Sequence, residues 1–121
     1  MVLIDTNILI DYFEGKLPEK YLDLLSYSYL SSITLAEIAD KFERKNISFE
    51  EPAHFIKNNF TILNIDFEIA KKAAKIKKER RKQHPKFGLS DALILATAKV
   101  HSLELHTKDH DFKGEASILD Y

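Results

Sequence analysis

Four acids in this chain stand where their side chains can act together. Asp5 closes the apolar run Val2-Leu3-Ile4 and is followed by Thr6 and Asn7. Glu37 ends the segment Thr34-Leu35-Ala36-Glu37, and Asp91 opens an apolar stretch reaching His101. Asp109 follows Leu103-Glu104-Leu105-His106-Thr107. Two carboxylates about 4 Å apart repel by about 4 kcal/mol at an effective dielectric of roughly 20. A protein keeps such a group together when a divalent cation neutralises it. An all-oxygen donor set favours Mg²⁺ or Mn²⁺ over zinc or copper. Each acid also has an ordinary use: Asp5 as a helix cap, Glu37 as half of a capping box, Asp91 at a helix dipole, Asp109 in a turn. One acid at each of four convergent positions is more than capping alone accounts for.

The elements that must position these acids follow from periodicity. Val2-Leu3-Ile4 is a continuous apolar run, as in a strand buried on both faces of a parallel sheet. Thr6 or Asn7 is expected to cap the next helix, whose apolar face is Ile8, Leu9, Tyr12 and Phe13. Lys16-Leu17-Pro18 breaks it, and Glu19 to Leu25 reads as a second helix. Tyr27 to Ile33 reads as a strand. Thr34 and Glu37 have the spacing of a capping box that opens a helix to about Arg44. Ser48 caps a further helix to about Asn58, and Phe60 to Ile65 is a third strand. Asp66 caps a long helix with Ile69, Ala73 and Ile76 on its buried face. Pro85-Lys86-Phe87-Gly88 breaks the chain before a buried helix, Leu89 to His101, capped by Ser90. Leu103 to Thr107 and Ala116 to Leu119 are the last strands. Strands alternating with helices imply an α/β fold, a parallel sheet covered on both sides, with two helices in each long crossover. In such a sheet Asp5, Glu37, Asp91 and Asp109 lie at one edge.

Composition sets the outer bounds. The chain has 121 residues, enough for one domain, 1–121, with a real core. It has only three glycines and three prolines, so no linker divides it. A net charge of −1 gives no global case for a nucleic-acid partner, so any such case rests on local patches. With no cysteine, disulfides and thiolate chemistry are excluded, which suits a cytoplasmic location. The first residues lack a basic segment, and Asp5 and Asp11 interrupt the apolar run, unlike a signal peptide. No stretch approaches the ~20 apolar residues of a membrane span.

Asp5-Thr6-Asn7, Thr34-Leu35-Ala36-Glu37, Ser90-Asp91-Ala92-Leu93-Ile94-Leu95-Ala96-Thr97-Ala98 and Thr107-Lys108-Asp109-His110-Asp111-Phe112 resemble, in order, the successive motifs of PIN-domain nucleases, especially the VapC type. The resemblance covers essentially the whole chain. It implies a three-layer α/β/α sandwich around a central parallel sheet. It also implies a Mg²⁺- or Mn²⁺-dependent endoribonuclease, the toxin of a toxin–antitoxin pair, with a homodimer and a neutralising antitoxin as partners. By motif match the acidic quartet falls on Asp5, Glu37, Asp91 and Asp109. Asp5, Asp91 and Asp109 are then the metal ligands, and Glu37 orients or deprotonates the attacking water. Thr6, Asn7 and Thr107 support the site. Asp109 and Asp111 can each supply the last acid. Asp109, two residues after Thr107, is preferred, with Asp111 outside it. Hydrolysis by water leaves a 5′-phosphate and a 3′-hydroxyl.

Other features point less sharply. Half of the chain's 18 lysines and arginines lie between Lys71 and Lys86. They either track an RNA backbone, with Lys78, Arg81 and Lys82 as contacts, or form the solvated face of a helix. His54, His84, His101, His106 and His110 show no pairing that spacing picks out, and His110 is notable only for its neighbour Asp109. Tyr12, Phe13, Tyr21, Leu22 and Leu25 either complete the core or form a partner groove. Two other functions compete. A phosphoacceptor receiver would use Asp66 and Lys108, yet its first strand should end in paired acids. An inert PIN-like binding module would not need the quartet.

Overall fold

The strand that carries Asp5 is the middle one of five. The computed structural model describes residues 1–121. The strands are β1 (Val2–Ile4), β2 (Ser28–Ser31), β3 (Thr61–Leu63), β4 (Glu104–Thr107) and β5 (Ser117–Ile118). They form one parallel sheet in the order β3-β2-β1-β4-β5. Leu3 stands opposite Tyr29 on one side and Leu105 on the other. The chain winds outward from β1 to β3, then crosses back to place β4 against β1. The strand order therefore reverses between β1 and β4, and the crevice beyond the strand ends there is where an open α/β sheet binds ligands.

Helices cover both faces. α1 (Thr6–Phe13), α2 (Ser32–Arg44) and α3 (Glu50–Asn59) bury Ile8, Leu9, Ile38 and Ile56 in a cluster with Ile4 and Leu30. α4 (Phe67–Arg80) and α5 (Leu89–Val100) bury Ile69, Ala73, Ile94 and Leu95 in a second cluster with Leu3 and Leu105. Successive β1 side chains thus feed opposite cores, as the period of a strand requires. Each fully buried Leu or Ile contributes about 1.5–3 kcal/mol. The result is a three-layer α/β/α sandwich. No helix is long and apolar enough to cross a membrane.

Several local expectations change. Asp5 itself caps α1: its backbone is extended and Oδ1 accepts the Thr6 N–H at 2.7 Å. That leaves the Thr6 hydroxyl and the Asn7 amide free for other bonds. Ser31, not Thr34, caps the next helix, accepting from the Ile33 N–H, so α2 opens at Ser32 and Thr34 lies inside it. The spacing read as a capping box is instead a shared helix face. Gly88, not Ser90, is the cap position of α5, and Asp91 accepts the Gly88 N–H at 2.8 Å. Residues Glu19–Tyr27 coil as 3₁₀ turns rather than an α-helix. Asp66 caps α4 as expected, accepting the Ile69 N–H at 2.9 Å. Of the apolar surplus, Leu25 is buried, while Tyr12, Phe13 and Tyr21 pack against the first core. Leu22 alone stays 40% exposed.

Phe87, read from sequence as part of a break, is fully buried and meets Phe112 edge-on at 5.2 Å. It precedes the Gly88–Asp91 turn, and Phe112 follows Asp111, so this pair ties two acid-bearing segments to one core. Phe87→Ala is expected to cost about 3–5 kcal/mol in denaturant unfolding. A loss under about 1 kcal/mol would mean that the ring is not a packing anchor.

Candidate active site

Asp5, a residue only 5% exposed, leaves β1 at the switch point. Its N–H donates to the His106 carbonyl at 2.9 Å, which fixes it against β4. Both carboxylate oxygens are held. Oδ1 takes the Thr6 N–H, and Oδ2 takes the Thr107 hydroxyl at 2.6 Å. The Thr107 oxygen in turn accepts the Asn7 side-chain amide at 3.3 Å and the Asp109 N–H at 3.0 Å. Asn7 Oδ1 accepts the Lys108 N–H at 3.3 Å. One buried hydroxyl thus joins β1, α1 and the turn after β4.

The Thr6 hydroxyl does the same for Glu37. It donates to Glu37 Oε1 at 2.6 Å and lies 3.0 Å from the Thr34 hydroxyl. A hydroxyl has one proton, so Thr34 is the donor in that second contact. Thr34 is fully buried and is a site residue that the sequence reading missed. The available signal was its place one turn before Glu37 on α2.

The electrostatics show which acids share space. Burial pushes the Asp5 carboxyl up from 3.8 to about 7, and the charges of Asp91 and Glu37 add to this against the pull of the Thr107 and Thr6 bonds. Glu37 is raised by burial and then by Asp91, despite its bond from Thr6. Asp91 is raised by burial and then by Asp109 and Asp111, despite its bond from Gly88. Asp5, Glu37, Asp91, Asp109 and Asp111 are therefore one coupled group. Asp109 lies nearer the hub, with its N–H on Thr107 and its Oδ1 accepting the Asp111 N–H at 2.9 Å. Asp111 instead faces His84, 3.4 Å from its Nδ1. His110 is exposed and makes no such contact.

The donor set fits a hard divalent cation: carboxylates, hydroxyls and an amide, with no sulfur. No three of the chain's acid or histidine side chains converge tightly enough to cage one ion. Mg²⁺ does not require that, since it keeps several waters and takes one or two carboxylates.

The basic run divides. α4 ends at Arg80, so Arg81 and Lys82 lie beyond the helix. Arg80 donates to the Asp111 and Lys113 carbonyls and stacks over Phe87 at 5.3 Å. Arg81 donates to the Phe87 carbonyl at 2.7 Å. Lys82 pairs with Glu79 at 3.1 Å, and Lys78 is exposed. The two arginines hold the segments that carry the acids, a positioning use that charge counting does not reveal. Receiver chemistry finds no support here: Asp66 is a helix cap beyond the edge strand β3, and Lys108 is paired with Asp11.

A three-layer sandwich with a buried Asp5 and the half-buried Glu37 and Asp91 at its switch point, all three raised by burial and by neighbouring acids, defines a class of site, and relatives give that class a family. The PIN domain model matches residues 2–115. Ribonuclease VapC1 of Rickettsia felis is 34% identical over 93% of this chain and 88% of its own length. Toxin FitB of Neisseria gonorrhoeae is 31% identical over 90% of this chain and 88% of its own. A toxin–antitoxin complex from Klebsiella pneumoniae contains a chain that superposes with a TM-score of 0.78 at 32% identity, covering 99% of this chain and 97% of that one. The chain belongs to the PIN-domain family, in its VapC type.

Stability carries the signature of this site. Folding holds the Asp5 pKa near 7, above its ordinary 3.8, so folding favours the protonated acid. The resulting destabilisation is absent below pH about 4, grows between, and is complete above about 7. In metal-free protein, the stability of wild type relative to Asp5→Asn should fall across that window, measured by thermal unfolding. A difference that stays flat from pH 4 to 8 would contradict a buried, repelling carboxylate group.

Proposed function

We propose that this protein is a divalent-metal-dependent endoribonuclease of the toxin type, held in check by a cognate antitoxin protein. The observation that carries the reading is the coupled acid group around the Thr107 hydroxyl. An isolated capping acid gains nothing from such company, whereas a hydrolytic site needs it. The VapC and FitB relatives, and the complex from Klebsiella, support the toxin role and the antitoxin partner. A homodimer and a cytoplasmic location belong to the same reading.

One or two of Asp5, Asp91 and Asp109 would bind the cation, Mg²⁺ or Mn²⁺, directly and the remainder through its waters, with Asp111 outside them. When bound, the cation supplies Lewis acidity at the phosphoryl group and makes water easier to deprotonate. The chain's own groups do the rest. Thr6 pins Glu37 through Oε1 and leaves Oε2 to take the proton of the attacking water. Burial raises the Glu37 carboxyl above its ordinary pKa, which strengthens it as a base. Thr107 and Asn7 keep Asp5 pointing into the crevice. The water oxygen bonds to phosphorus as the bond to the 3′-oxygen breaks, and that oxygen takes a proton from solvent, giving a 5′-phosphate and a 3′-hydroxyl. We assign Lys78 and Lys82, both exposed, to the RNA backbone by their charge alone, while Arg81 contributes by holding the turn before Asp91.

Cleavage of RNA in Mn²⁺, with and without EDTA, tests this for wild type and Asp91→Asn. Wild type should cut only with metal, and the variant should lose at least about a hundredfold, the scale of a lost electrostatic group in a buried site. Full activity in EDTA, or 2′,3′-cyclic phosphate ends, would rule the scheme out. RNA binding without any cleavage would instead favour an inert binding module.

A further inference from the structure

Asp11 lies on α1, one turn after Asn7, and is a buried acid that the hydrolytic scheme does not use. Its Oδ2 accepts two hydrogen bonds, one from the Lys108 ammonium and one from the Tyr121 hydroxyl at 2.6 Å. Lys108 also lies over the Tyr121 ring, 4.9 Å from its centroid. Tyr121 leans on Tyr21 with ring centres 5.6 Å apart. Lys108 is the residue between Thr107 and Asp109, and α1 grips it twice: Asn7 takes its N–H and Asp11 takes its ammonium.

Resting on the nuclease reading, we propose that Asp11 is a positioning residue for the reaction. Together with Lys108 and Tyr121 it locks the Thr107–Lys108–Asp109 turn, so that Thr107 meets Asp5 and Asp109 keeps its place in the acid group.

The chemistry favours a lock over a loose surface pair. Asp11 is buried, and its partner Lys108 is only about one-third exposed, so the pair is screened far less than a surface one. Removing one member leaves the other short of a partner. Partial burial of the phenol and the adjacent Asp11 carboxylate push Tyr121, a residue 39% exposed overall, above its ordinary value, which keeps it a donor. The same lock ties the residues after β5 to the catalytic edge. The Lys108 ammonium, which the receiver alternative would need free, is committed to Asp11.

Two readouts test the lock in Asp11→Asn and Lys108→Met. In RNA cleavage, kcat should fall about tenfold or more with KM within about twofold, since small misplacement of reacting groups is costly in rate. In metal-free protein, the Asp109 N–H, which donates to Thr107, should exchange with solvent about tenfold faster, while the β1 amides keep their protection. If Asp11→Asn does not fold, Tyr121→Phe removes a single hydroxyl and should shift both readouts in the same direction. Unchanged kcat and unchanged Asp109 exchange would overturn the lock. Equal loss of protection at Asp109 and in β1 would also overturn it, by reducing Asp11 to general stability. The exchange measurement needs no catalysis, so failure of the nuclease reading leaves a separate mark: wild type that cuts no RNA while Asp109 still responds.

Discussion

A buried carboxylate facing two other acids is the constraint on which the site depends. Asp5 gives up hydration at the end of the central strand, and Asp91 and Glu37 make its charge costlier still. The fold offsets this with one hydroxyl from Thr107 and one N–H from Thr6. Everything near the crevice serves those bonds. The switch point sets β4 beside β1, so Thr107 can reach Asp5 from 102 residues away in sequence. The first turn of α1 then supplies Thr6 to Glu37 and Asn7 to Thr107. A cluster kept at this cost is a cluster with a use, and neutralisation by a hard cation is the use that its oxygen donors fit.

The acids and their elements were legible because they depend on short-range rules. An apolar run ending in Asp5, an apolar helix opening at Asp91, and a strand closing at Thr107 are local patterns, and the family motifs repeat them. The caps were less legible. Thr34 and Glu37 have the spacing of a capping box, but that spacing also puts two side chains on one helix face. Only the position of Thr6, set by β1, decides between these uses. Gly88 holds the cap position of α5 with no side-chain acceptor of its own, so Asp91 takes the Gly88 N–H across the turn.

Long-range polar pairings were not legible at all. Arg80 and Arg81 sit in a run of cations whose charge suggests a nucleic-acid face. Their bonds go to the carbonyls of Asp111, Lys113 and Phe87, which charge counting ignores. Asp11, Lys108 and Tyr121 are spread across the chain, and nothing in their local sequence links them. Phe87 reads as part of a break because it lies between Pro85 and Gly88, yet the turn it occupies must anchor to the core to hold Asp91 in place. In each case the missing information was tertiary: which backbone carbonyl or buried acid lay within reach.

Anomalous diffraction from crystals soaked in Mn²⁺ tests the central claim most directly. The account predicts manganese at the β1–β4 crevice, bonded to one or two of Asp5, Asp91 and Asp109, with waters completing the shell and the Thr107 bond to Asp5 retained. A fully soaked crystal with no manganese among those acids, or with manganese only on surface carboxylates, would contradict it.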